Sequence, residues 1–114
     1  MMSMTYLLTV MLTGLGMVAT IPASQAASPS MHYAWQVLGI DTAQCLSQAR
    51  QALESQGLEP VQNDATSVAG RSETVTAMFV CVENQPATTT VMVVVASDND
   101  DQALALREAL KQAF

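Results

Sequence analysis

The residues of this 114-residue chain best suited to nucleophilic, redox or metal chemistry are two cysteines, Cys45 and Cys81, and a single histidine, His32. The cysteines lack a Cys-x-x-Cys spacing and a neighbouring basic side chain that would hold a thiolate, so a reactive thiol is not expected. With one histidine, a Ser-His-Asp or Cys-His set has one candidate base and a zinc site is short of ligands. His32 is read as decorating a strand end. The densest group of oxygen donors is Asp98-Asn99-Asp100-Asp101. A calcium loop of the EF-hand type would continue with alternating ligands, a central glycine and a closing glutamate, none of which follows, so the cluster reads as a helix cap.

Ten acidic residues allow many carboxylate pairs of the kind that hydrolyse glycosides, but no pair stands out. Gly39, Gly57 and Gly70 are isolated and form no phosphate-cradling loop. No catalytic residue, metal or cofactor is therefore assigned, and the chain is read as a non-enzyme. Tyr33, Trp35 and Phe79, with Phe114, are the aromatic residues available to the domain. Core packing is their expected use. Exposure of Trp35 together with Met92 would instead mark an apolar binding surface, which makes His32, Tyr33, Trp35 and Met92 the candidate binding residues.

The elements that must carry these residues follow from hydrophobic periodicity. Met31 to Leu38 alternates as a strand, with Tyr33, Trp35 and Val37 on one face and Ala34, Gln36 and Leu38 on the other. Asp41 and Gln44 have capping-box spacing, and Cys45, Leu46, Ala49, Ala52 and Leu53 then form one helical stripe, predicting a helix from Thr42 to about Gln56. Gly57 followed by Leu58 is a stop signal. A strand at Leu58 to Asn63 is placed at a sheet edge because Pro60 lacks an N–H. Asp64 to Ser72 reads as a loop or irregular hairpin arm. Strands at Thr74 to Glu83 and Thr88 to Ala96 are joined by Asn84–Ala87, with Val91–Val95 apolar on both faces as in a central strand. A second helix starts at Asp98 or Asn99 and runs to the C-terminus, buries Ala103, Leu106, Leu110 and Ala113, and places Asp100 and Asp101 early and Arg107 and Lys111 nearer its end, complementing its dipole. The predicted fold is an α+β two-layer sandwich, β-α-β-β-β-α, with a mostly antiparallel four-stranded sheet and two helices on one face.

Residues 1–26 contain no charged side chain, carry an apolar run from Tyr6 to Ile21, and end in Pro22 and the small residues Ser24 and Ala26. This is the pattern of a signal peptide cleaved after Ala26, although the usual basic residue before the apolar run is missing. The run is shorter than a bilayer span, so stable membrane insertion after cleavage is not expected. A linker at 27–30 and a single domain at 31–114 complete the expected organisation. Four basic residues against ten acidic ones give a net charge of −6, which excludes nucleic acid as the main partner.

In an exported domain of this size, Cys45 on the buried helix stripe and Cys81 on the strand face with Ala77 and Phe79 are expected to form a disulfide. The address is periplasmic or secreted. One cysteine in the first helix and another in a later strand, followed by the strand-to-helix segment Val91 to Leu110, resembles small exported bacterial proteins of unknown function. Trp35-Gln36-Val37-Leu38-Gly39 leading into the Ala/Leu-rich helix, with Val93-Val94-Val95 leading into the second, is similar to SPOR domains. That resemblance implies binding of peptidoglycan glycan strands. Departures from the pattern are Leu38 within the Gln-Val-Gly order, an extra strand before the second helix, and no strand after it. The expected function is an exported accessory or binding module, monomeric or weakly oligomeric, with an unknown protein or envelope-glycan partner. A small carboxylate-dependent hydrolase and an enzyme inhibitor are the alternatives.

Overall fold

The structure, a computed structural model, describes residues 28–114. The expected signal peptide at 1–26 lies outside the described residues. Seven elements follow in order: β1 (Ser30–Leu38), α1 (Thr42–Ser55), β2 (Glu59–Asn63), β3 (Ser67–Arg71), β4 (Val75–Gln85), β5 (Thr88–Ser97) and α2 (Asp100–Lys111). The strands form one antiparallel sheet in the order β1-β5-β4-β3-β2. The fold is thus α+β with five strands rather than the four expected.

Local signals set the helix ends. The Asp41 carboxylate accepts the Gln44 N–H at 2.8 Å and starts α1. At its other end Gly57, at φ 74°, donates to the Glu54 carbonyl while Leu58 donates to the Leu53 carbonyl, closing a Schellman stop. Asn99 caps α2 through the Gln102 N–H. Every residue of the expected α1 stripe is buried. On α2, Ala103 and Leu110 are buried and Leu106 is partly so, but Ala113 is exposed because the helix ends at Lys111. Phe114 takes over that contact, its ring lying 5.4 Å from Phe79.

The strand missed by periodicity is β3. Its polar start comes from a turn in which the Asp64 carboxylate accepts the backbone N–H groups of Thr66 and Ser67 at 2.9 and 2.8 Å and the Ser67 hydroxyl at 3.0 Å. Its glycine comes from crowding, since a Cβ on Gly70 would lie 3.0 Å from Leu58 Cβ and 3.2 Å from the Glu59 carbonyl oxygen. Ser67 to Gly70 are accordingly buried, and β3 bridges β2 and β4. Pro60 does place β2 at the edge, with a bulge between Pro60 and Gln62. The β4–β5 connection is shorter than expected, with Pro86 and Ala87 alone between paired Gln85 and Thr88.

The Asp64 hydrogen bonds hold its carboxyl at about 2, below the ordinary 3.8, chiefly through the Thr66 N–H and then the Ser67 side chain. A carboxylate with a lowered folded-state pKa stabilises fully above its unfolded value and loses that contribution as pH falls through the folded value. Urea midpoints of the protein and of Asp64→Asn are therefore expected to differ at neutral pH and to converge as the pH drops from the ordinary carboxylate range to about 2.

One face of the sheet carries the core. Val75, Ala77, Phe79 and Cys81 of β4 and Val91, Val93 and Val95 of β5 pack under Leu46, Ala49 and Leu53 of α1 and Leu110 of α2. Cys45 and Cys81 are fully buried there and form a disulfide with Cα atoms 6.2 Å apart, tying α1 to β4. A disulfide of this kind fits an oxidising, extracytoplasmic compartment.

Candidate functional site

Both helices cover the face just described. On the opposite face, alternation in three neighbouring strands directs a second set of apolar side chains outward. Cross-strand registers arrange them in rows: Tyr33 beside Val94 and Met78, Trp35 beside Met92 and Val80, and Val37 beside Thr90 and Val82. Met31, next to Ala96, extends the first column. Tyr33 and Trp35 are 63% and 62% exposed and Met92 is 39% exposed. The expectation of core packing therefore holds for Phe79 and fails for Tyr33 and Trp35. The reason is the layer count: with both helices on one side, the odd-numbered positions of β1 face solvent.

This face has no charged side chain on its β1, β5 and β4 positions among the described residues. A whole aromatic side chain contributes ~150–250 Å², so two largely exposed aromatics with Met31, Val37, Val82 and Met92 present several hundred Å² of apolar surface. That is comparable to the largest apolar patch of a typical monomer, roughly 300–600 Å² and often functional. Sequence reading found Tyr33, Trp35 and Met92 but missed Met78, Val80, Val82 and Val94. Their signal was the second face of β4 and β5, whose apolar residues alternate as regularly as those of the first.

His32 does not join them. It projects to the helix side, where Nε2 lies 2.8 Å from Asp100 Oδ1 and fastens β1 to the start of α2. The imidazole, with the Ser30 hydroxyl, holds the Asp100 carboxyl below the ordinary carboxylate value. Asp100 thus serves the β1–α2 junction. Its neighbour Asn99 provides the cap expected of this cluster, and among the described residues no three His, Cys, Asp or Glu side chains gather to hold a metal ion.

A broad open cleft of about 850 Å³ lies at the end of the sheet, lined by Glu59, Arg71, Glu73 and Asp98 among others. Its carboxylates are exposed to solvent. Glu59 faces Arg71 across the β2–β3 register. The cleft is thus an open surface with three carboxylates and one guanidinium, whereas the apolar sheet face is the feature that the described residues leave without a covering layer.

Among the described residues the arrangement is a two-layer α+β fold with a disulfide on its covered side and an uncovered apolar sheet face on the other. Comparison of the chain with protein-family models, curated proteins and solved structures gives no match.

Proposed function

We propose that this protein is an exported, non-enzymatic accessory module that binds another protein through the open face of its sheet. The observation that carries the reading is the uncharged apolar surface built around Trp35 and Met92. Such a surface is costly to leave in water, and binding sites concentrate aromatic and methionine side chains while excluding charge from their centre. The occupant is a protein with an apolar, uncharged patch of its own. Glycan recognition would call for polar side chains interleaved with the aromatics, and Thr90 is the one polar non-aromatic position in the three central rows. The disulfide supports the export reading, because such bridges persist in oxidising compartments.

A photo-crosslinking residue at Val82, on the open face and away from β1, is expected to give an adduct with a second protein in the cell envelope. Adding Trp35→Asp should abolish that adduct, and the same probe at Gln51, exposed on α1, should give none. Equal adducts from Val82 and Gln51, or none from Val82, would remove the proposal. So would turnover of an envelope glycan or peptide that is lost on neutralising exposed carboxylates.

A further inference from the structure

The two edges of the sheet are built differently. β2 has five residues, includes Pro60 and Glu59, and is broken by a bulge. Proline, charge, brevity and bulges are the features that stop another strand from adding to an edge. β1 has none of them: its nine residues, Ser30–Leu38, contain no proline and no Asp, Glu, Lys or Arg, and its register with β5 is unbroken.

The outward hydrogen-bonding groups of β1 can be assigned. The two-residue turn makes Gln85 and Thr88 a bonded pair, so alternate residues of β5 from Thr89 onward direct their backbone groups to β1. Those residues pair with Leu38, Gln36, Ala34 and His32. Met31, Tyr33, Trp35 and Val37 must then direct theirs away from the sheet. The Tyr33 carbonyl bears this out, since it accepts from Arg107 Nη1 of α2 at 3.2 Å.

α2 runs beside this edge in the same direction as β1. Asp100 meets His32, Arg107 meets Tyr33, and Lys111 joins Arg107 along a groove of about 480 Å³ flanking Met31 to Trp35. The strip is therefore acidic at the Asp100–Asp101 end and basic at the Arg107–Lys111 end, where Glu108, 2.6 Å from Arg107 and 3.7 Å from Lys111, offsets one of the two positive charges. A strip of opposite ends is complementary to its own copy after a half-turn.

From this proline-free, uninterrupted and self-complementary edge we infer that β1 pairs with β1 of a second copy of the chain, antiparallel and about a twofold axis at Ala34. Full overlap of the strand then sets Tyr33 against Trp35 of the second copy and Met31 against Val37, each pair with outward N–H and C=O groups. Arg107 releases the Tyr33 carbonyl to the new ladder and turns toward the acidic end of the other α2. The contact is isologous, as in most soluble dimers. Tyr33 and Trp35 form aromatic cross-strand pairs on the open face, which runs on unbroken from one copy to the other.

The test combines sedimentation equilibrium of the oxidised chain with residue-resolved amide exchange at low and high protein concentration. The expected result is a species of twice the chain mass in which the amides of Met31, Tyr33, Trp35 and Val37 gain about tenfold or greater protection as concentration rises. Val37→Pro removes an outward N–H without touching the β5 ladder and should weaken the dimer about tenfold or more. The exchange measurement needs no substitution, so it decides the matter even where that variant misfolds. A monomer at every concentration, or a dimer whose four amides exchange no more slowly than in the monomer, overturns the inference. Neither result bears on the adduct from Val82, which tests the open face separately.

Discussion

Replacing Cys45 and Cys81 together by alanine is expected to reduce the unfolding free energy by about 4 kcal/mol, the chain-entropy value for a closed loop of this length. The bridge spans 36 positions and both cysteines are fully buried, so the substitution also removes packed atoms between α1 and β4. Alanine leaves Ala49, Ala52 and Ala77 nearby, small residues that cannot grow into the gap. In a domain of this size a loss of 1 kcal/mol lowers Tm by roughly 4–8 °C, so the double variant should melt on the order of 15–30 °C lower. Thermal unfolding followed by circular dichroism, with and without reductant, checks this. The unsubstituted protein should fall toward the variant when reduced, and an unchanged melting temperature would mean that α1 is held by packing alone.

Phe79→Ala is expected to cost about 3–5 kcal/mol. Among the described residues Phe79 is the largest fully buried side chain; it stands opposite Val93 at the centre of the covered face and closes against Phe114. Truncation empties space between two strands and the chain end, and the surrounding valines are too stiff to close it. Phe114→Ala alone should cost less, because Phe114 is only partly buried. A double-mutant cycle in urea is expected to give a coupling of about 0.5–1.5 kcal/mol for the tilted ring pair. No coupling would show that the C-terminal residue lies over the core without stabilising it.

How much of this was legible in the sequence depended on what each signal reports. Caps and stops are local, so Asp41 and Gly57 fixed α1 closely, and Asp98–Asn99 fixed the start of α2, whose end, with no stop signal, was read past Lys111 to the C-terminus. The Cys45–Cys81 pairing was readable because each cysteine lies within a clear apolar stripe. β3 was not readable, because Ser67 is polar for the sake of Asp64 and Gly70 is small for the sake of Leu58, and neither demand is visible without the neighbouring strand. The open face failed for a different reason. Alternation divides a strand into two sides but does not say which side the helices will cover, and Trp35 carries no mark of its side until α2 is seen to lie against Ala34 and His32.

The order of strands in space also sets an order in time. β1 is made first and β5 last, yet β5 is the only described strand that pairs with β1. Cys45 and Cys81 both precede Thr88, so a chain emerging from its N-terminus can close the covalent loop around α1, β2, β3 and β4 while β1 still has no neighbour in the sheet. Ser30 finds Ser97 only when nearly the whole chain is available. The first of the described strands to be made is thus the last to find its place in the sheet, and any truncation within β5 leaves it unmoored.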